Sequence, residues 1–304
     1  MLSLFRKKAK VCVHSGKFHP DDVTAVAIVS LYLGRAVEIV RSRNPEDWAK
    51  ADYVFDVGGE YDPARNRFDH HQESFTDKRE NSIPYSSAGL AWKHFGDKVA
   101  GSREVWAKID KKLIQPLDAE DNGMEIYHPA FAGIDPYEFS DFLHSFNPTW
   151  KEAKRESSHK AFAHAVAEAK KMLVREVKRA KDNLAGEALV RRIYAHTADK
   201  RIIVLDDAYS SRHFIESCPE PLFVIEPHAE TDRWYVNTVL AGEGKFKRRK
   251  YFPQSWADKR DGELAVVTGV PDAVYCHKDL FVAVARSKEG AIKLAELALL
   301  DHTK

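Results

Sequence analysis

Short apolar runs alternate with longer amphipathic stretches along the first half of the chain. "KVCVHSG" is an apolar run ending in a turn, and "DDVTAVAIVSLYLG" follows as an amphipathic to buried helix closed by Gly34. "AVEIVRS" reads as a second strand, "PEDWAKA" as a short helix opened by Pro45, and "ADYVFDVGG" as a third strand. Strands separated by helices imply a parallel sheet with crossover connections. After a turn-rich stretch, "SSAGLAWKHFG" predicts a helix with serines at its start and Gly96 at its end, and another helix follows from about Glu104 to Leu117.

From Lys151 to Leu184 the pattern changes. The segment has no proline or glycine, and Phe162, Val166, Ala169, Leu173, Val177, Ala180 and Leu184 step by three or four, one apolar stripe on a long helix. It reads as a connector between two domains, with the seam of a coiled-coil homodimer as the competing expectation. Beyond it, "KRIIVLD", "LFVIEP", "RWYVNTVL" and "LFVAVAR" read as strands and "SKEGAIKLAELALL" as a terminal helix. The expected fold is therefore α/β: an N-terminal parallel-sheet domain over residues 1–148, a connecting helix over 149–190, and a smaller α/β domain over 191–304.

Bulk properties narrow the class. A chain of 304 residues holds about two ordinary domains. A net charge of +1 gives no whole-chain basic field, so any site for a polyanion has to be local. Cys12, Cys218 and Cys276 are odd in number and widely spaced, which fits a reducing, cytoplasmic setting. No stretch approaches the ~20 apolar residues of a membrane span, so no membrane partner is expected.

Four polar clusters break the pattern. "HSGKFHPDD" places His14 at the C-terminal end of the first strand, with His19, Asp21 and Asp22 entering the next helix. That edge of a parallel sheet is where ligands bind, although Asp21 or Asp22 would also serve as helix caps. Asp56 ends the third strand in the same way, in front of two glycines. "FDHHQ" carries Asp69, His70 and His71 in what reads as a surface loop. "QPLDAEDNG" sets Asp118, Glu120 and Asp121 at a helix C-terminus, where acids oppose the macrodipole.

Histidines and aspartates without a thiolate suit Mn²⁺, Mg²⁺, Zn²⁺ or Fe²⁺ and argue against a structural zinc site. So many carboxylates call for more than one cation. Two ions about 3.5–4 Å apart, bridged by an aspartate and a hydroxide, make a centre for phosphoryl transfer to water.

The order of these motifs resembles that of the DHH phosphoesterase superfamily. Most closely, "HSGKFHPDD", "DYVFDVGGEYDPARNRFDHHQ", "SSAGLAWKHFG", "DAEDNG" and the segment from "GELAVVTGVPDAVYCHKD" onward resemble the melanocyte-proliferating-gene (Myg) family of metal-dependent hydrolases, over about Val11 to Leu299. The resemblance implies a DHH-type catalytic domain in which His14, His19 and Asp21 hold one metal, Asp56 bridges both ions and His70 ligates the second. It further implies that Asp69 orients the imidazole beside it, that His71 touches the scissile phosphate, and that Asp121, in preference to Asp118, completes the site. His19 stands where many of these enzymes carry an aspartate, which favours Mn²⁺. "AVARSKEG" stands where the resemblance implies a glycine-rich turn for close backbone approach to substrate.

In this family the C-terminal domain selects the substrate. The candidate surface is "GEGKFKRRKYFPQSW", where Lys245, Lys247, Arg248, Arg249 and Lys250 alternate with aromatic residues able to stack bases. A solvated charged loop is the plain alternative. His277 and Arg286 are further candidates, and Ser86 with Ser87 could form an anion pocket at a helix start or simply cap it. The expected function is a metal-dependent phosphodiesterase, an exonuclease on RNA or short oligonucleotides, with single-stranded nucleic acid or a nucleotide as partner. A small-nucleotide phosphatase or pyrophosphatase, and a non-catalytic metal-binding protein, are the alternatives.

Overall fold

The computed structural model describes residues 7–154, 157–242 and 246–301. The chain divides into two compact units, one running through Lys181 and the other starting at Asp182.

The first unit contains β1 (Lys10–Val13), α1 (Pro20–Leu33), β2 (Glu38–Arg41), α2 (Pro45–Ala49), β3 (Tyr53–Phe55), β4 (Tyr61–Asp62) and β5 (Arg67–Phe68). It continues with α3 (Ser87–Ala100), α4 (Arg103–Ile109), a π-helical turn (Asp110–Ile114), α5 (Gln115–Asp121), α6 (Phe139–His144) and most of α7 (Ser158–His196). The sheet order is β2-β1-β3-β5-β4, parallel except for the β4 edge. β1 is apolar without alternation because both its faces are covered, and Val11, Cys12 and Val13 are fully buried. α1 is buried from Pro20 through Ser30 and packs against α3.

Three expectations change here. "FDHHQ" is the end of a strand: Phe68 closes β5, which pairs in parallel with β3, so Asp69 and His70 leave the same sheet edge as Asp56. Helix α3 runs through Gly96 and ends at Gly101, whose φ of 80° is left-handed. Gly96 is there for close packing, since a Cβ on it would lie 2.6 Å from Trp92 and 2.9 Å from Trp106. The long helix begins at Ser158, extends to His196, and crosses from one unit into the other. Its stripe from Phe162 to Ala180 is buried by the chain itself, while Leu184 is half-buried.

The second unit holds β6 (Ile202–Val204), α8 (Arg212–Ser217), β7 (Phe223–Pro227), β8 (Trp234–Thr238), α9 (Asp261–Thr268), β9 (Ala273–Cys276), β10 (Val282–Ala285) and α10 (Lys288–Leu300). β6 and β7 are parallel and the other pairings antiparallel, in the order β6-β7-β8-β10-β9. Phe223, Ile225 and Val236 face one core with Leu264 of α9 and Leu294 of α10, whereas Val224 and Val239 face a second with Val190 of α7 and Ile215 of α8. Helices thus cover both faces of this sheet. α9 and β9 were not legible as separate elements.

Candidate metal centre

The candidate ligands come from the ends of elements, most of them from C-terminal ends. His14 leaves β1, Asp56 leaves β3, Asp69 and His70 leave β5, and Asp121 is the last residue of α5. His19 is the N-cap position of α1 and makes no side-chain cap hydrogen bond, so Asp21 and Asp22, both fully buried, lie in the first helical turn and do not cap it. Asp56 has φ of 55°, left-handed backbone that is costly outside glycine and recurrent where a side chain must be aimed at a site.

Asp56 is the hub. Its Oδ1 lies 3.4 Å from His70 Nε2 and 3.5 Å from His71 Nδ1, and its Oδ2 lies 3.3 Å from His14 Nε2 and 3.9 Å from His19 Nδ1. One carboxylate therefore turns each oxygen toward a different pair of imidazoles. His70 Nε2 is also 3.3 Å from Asp121 Oδ2 and 3.9 Å from Asp21 Oδ2, and His14 Nε2 is 3.0 Å from Asp22 Oδ2. Asp22 was read only as a candidate cap, yet it stands beside His14.

The electrostatics follow from burial and crowding. Burial raises Asp21 well above the usual carboxylate range, with Asp56, Asp121 and Asp22 adding repulsion. It also lifts Asp22 and Asp121 to about 6, against the opposing pull of His14 on the former and His70 on the latter. Burial works the same way on Asp56, but the adjacent imidazoles of His14 and His70 outweigh it and hold that carboxyl far below its ordinary value. Burial disfavours charge on His14, and Asp22 and Asp56 overcome it to raise the imidazole to about 10.

Both oxygens of Asp21, Asp22 and Asp56, together with His14 Nε2 and His70 Nε2, are buried without an aligned hydrogen-bond partner. Buried polar atoms are almost always satisfied, so a convergent set of unsatisfied lone pairs is a cavity shaped for cations. The donor sets that meet within one coordination sphere are His14, His19 and Asp56; Asp56, His70 and His71; and His19, Asp21 and Asp121. Imidazole and carboxylate in these combinations fit divalent ions. His14 Nδ1 lies 3.1 Å from the Ser15 carbonyl; donating a proton there leaves Nε2 free to ligate.

Asp69 does its orienting on His71 and not on His70. Its Oδ1 accepts from His71 Nδ1 at 2.7 Å and from the His71 amide at 3.1 Å, while Oδ2 accepts from the Gly59 amide at 2.6 Å. That hydrogen bond raises the pKa of His71, whose side chain is 59% exposed and available to a substrate.

Asp118 lies apart from this group. It is fully buried, and its Oδ1 accepts from the Ser86 amide at 3.2 Å, the Ser86 hydroxyl at 2.5 Å and the Gly89 amide at 3.0 Å, while Arg79 pairs with Oδ2 at 2.5 Å. The anion site at the start of α3 therefore exists, and Asp118 fills it. Ser87 donates to the Phe68 carbonyl at 2.9 Å and is fully buried. Neither serine is open to a substrate phosphate, and Asp118 is not placed to hold a metal.

Beside the hub lies a cleft of about 570 Å³ lined by His14, His19, Arg43, Trp48, Asp56 and His71, among others. Arg43 and Trp48 carried no motif in the sequence. The Arg43 guanidinium reaches the Ser15 carbonyl at 3.4 Å and His14 Nδ1 at 3.3 Å.

The candidate substrate residues of the second unit divide. Arg249 donates to the carbonyls of Glu216, Cys218 and Pro221, at 2.6, 2.5 and 3.1 Å, so it fastens the end of α8. Arg286 forms an exposed pair with Asp261 at 3.2 Å. His277 Nδ1 accepts from the Asp279 amide at 3.0 Å and its ring packs on Phe281. Lys247 is exposed, Arg248 donates to the Thr238 carbonyl at 3.1 Å, and Lys245 lies outside the described residues. Where a glycine-rich turn was expected, Ser287 caps α10 and the Asp272 carboxylate accepts from its amide at 2.8 Å.

Among the described residues no helix is long and apolar enough to cross a membrane, and the three cysteines are free and buried.

Comparison with known proteins agrees with this geometry. The chain is 31% identical to the MYG1 protein of Saccharomyces cerevisiae over 95% of both chains, and 28% identical to the human MYG1 exonuclease over 97% of this chain and 86% of that one. A MYG1 protein of Chlamydia trachomatis is 30% identical over 95% of this chain and 96% of its own. A solved pGpG-specific phosphodiesterase from Vibrio aligns at 14% identity over 96% of this chain and 98% of that chain, with a TM-score of 0.33, too slight a likeness to carry an argument. The family model MYG1_exonuc, described as uncharacterised protein family UPF0160, matches residues 10–299. The chain thus belongs to the MYG1 exonuclease family, and so to the hydrolases that act on phosphoester bonds.

Proposed function

We propose that this chain is a metal-dependent exonuclease that hydrolyses RNA or short oligonucleotides, with two divalent ions, Mn²⁺ the preferred metal. The observation that carries the reading is Asp56, whose two oxygens face two separate imidazole pairs. A carboxylate so placed suits a bridge between two ions. His14, His19 and Asp56 would hold one, and Asp56 with His70 the other, with Asp21 and Asp121 adjoining both.

Such ions supply Lewis-acid stabilisation of charge on a phosphoryl group and a nucleophile at neutral pH. The chain's own residues do the rest. Asp69 fixes the His71 ring, and the raised pKa of that imidazole suits it to donate a hydrogen bond or a proton to a phosphate oxygen or leaving group. The apolar layer under Asp56, with Phe55 and Phe68 stacked at 5.1 Å between ring centroids, keeps water from behind the carboxylate. The name of the human relative supports an exonuclease.

The test is release of mononucleotides from end-labelled single-stranded RNA in Mn²⁺, compared with Asp56→Asn. Wild-type release with loss of about three orders of magnitude or more in the variant is expected, since removing one electrostatic stabiliser alone costs about 10²–10³. Equal activity in the two proteins, or none in wild type with any divalent ion, would sink the reading.

A further inference from the structure

We propose that the second unit carries its own mononucleotide pocket, which reads the base with Glu226 and Asn237 and grips the phosphate with Arg212 and Arg248. The choice of a nucleotide as ligand rests on the exonuclease reading; the pocket itself does not.

The sheet sets the problem. On β7 and β8, side chains alternate between two cores, and the face turned toward α8 is built from Val224, Val239 and their neighbours. Glu226 and Asn237 interrupt that face. Asn237 donates its amide to Glu226 Oε1 at 2.9 Å, and among the described residues Glu226 has no ion-pair partner. Burial raises the pKa of Glu226, with no counter-charge to lower it. A half-buried carboxylate with one neutral donor is costly on an apolar sheet face unless a ligand brings N–H groups to it.

A cavity of about 280 Å³ opens over this pair. Apolar Ile215, Val224 and Val239 line it together with Arg212, Glu216 and Arg248. Arg248 spends one nitrogen on the Thr238 carbonyl and lies over the Phe281 ring, 5.1 Å from its centroid. Arg212 spends its Nε on Glu216 at 2.6 Å. Each guanidinium keeps further N–H groups; burial lowers the pKa of Arg248 and the nearby charge of Arg212 adds to it, against the pull of Tyr251 and Glu216. Glu216, also in the lining, balances one of these two charges and leaves the other for an anion, and phosphate matches the fork geometry of a guanidinium.

The ligand must therefore be anionic at one end, donor-rich at the other, and flat or apolar between. A nucleoside monophosphate has this form. The volume, near the low end of the roughly 300–1,000 Å³ of small-molecule sites, suits one nucleotide and not a polymer. Guanine fits best, because its N1–H and exocyclic amine are adjacent donors that one carboxylate can accept together, whereas uracil offers a single N–H flanked by acceptors. A divalent cation fits poorly: this pocket supplies none of the three ligand groups found among the described residues.

Titration calorimetry of the full chain in EDTA with the 5′-monophosphates of guanosine, adenosine, cytidine and uridine tests the assignment. Saturable binding at one site is expected, with GMP at least about fivefold tighter than UMP, the lower end for a bidentate base contact. Glu226→Gln should bring GMP down toward UMP, and Arg248→Ala should weaken all four alike, each with a thermal midpoint near that of wild type. No saturable binding in EDTA, or a GMP preference that survives Glu226→Gln, overturns the proposal. The nuclease reading fails separately: a protein that binds GMP here but cleaves no RNA keeps the pocket and loses the exonuclease, and one that cleaves RNA but binds no mononucleotide does the reverse.

Discussion

Asp118 and Gly89 are placed so that each requires the other. The Asp118 Oδ1 accepts the Gly89 amide at 3.0 Å, and a Cβ on Gly89 would lie 2.1 Å from Oδ2. The carboxylate occupies the space of a missing side chain, inside the first turn of α3, where free amides and the helix dipole favour an anion. Burial still lifts its pKa to about 6, in spite of Arg79 and Ser86.

Gly89→Ala should therefore push the carboxylate out and leave Arg79 short of a partner. Its guanidinium is nearly buried and also pairs with Asp110 at 3.0 Å, so it cannot swing freely into water. A loss of about 3–5 kcal/mol is expected, the range for breaking a buried charge pair from one side. Urea unfolding measures it, and an unchanged midpoint would show that the helix start tolerates a side chain. Because Asp118 begins the turn that ends in Asp121, the same variant should also weaken metal binding.

Metal binding should depend on pH with a definite sign. Without metal, Asp22 and Asp121 take up protons as pH falls through about 6, and His14 keeps its proton until about 10. A cation has to displace these protons, so apparent Mn²⁺ affinity rises with pH and weakens steeply below about 6. Each proton released makes the affinity grow by about tenfold per pH unit. Calorimetry in buffers of different ionisation enthalpy counts the protons, and an affinity that is flat from pH 5 to 8 would contradict the assignment.

The sheet edge was readable because apolar runs that stop at a lone polar residue mark strand ends, and His14 and Asp56 both did. β5 was not, since two residues are too few to show a period, and so "FDHHQ" read as a loop. Asp22 was hidden by the ordinary preference for acids in a first helical turn. The serines of "SSAGLAW" did signal an anion, but only the fold reveals that the anion is Asp118. Arg249 misled because a run of charge on a sequence says nothing of which guanidinium will find three carbonyls. Glu226 and Asn237 were invisible for the opposite reason: each sits in a good strand, and their oddity appears only when the apolar face around them is assembled.

Arg43 is the remaining test of the catalytic cleft. It is the lysine or arginine that lines this cleft among the described residues; it donates to the Ser15 carbonyl, lies 3.3 Å from His14 Nδ1, and has no carboxylate partner. A phosphate entering beside Asp56 and His71 would meet its free N–H groups. Arg43→Ala should lower kcat/KM on single-stranded RNA by about 10- to 100-fold, the worth of one charge-assisted hydrogen bond of about 1.5–3 kcal/mol. Arg43→Lys should recover part of it, because a point charge replaces the charge but not the fork. Stability should shift by less than about 0.5 kcal/mol at so exposed a position, and Mn²⁺ content should stay at the wild-type level. Loss of metal together with activity would make Arg43 a support for His14 alone, and unchanged kcat/KM would remove it from the substrate's path.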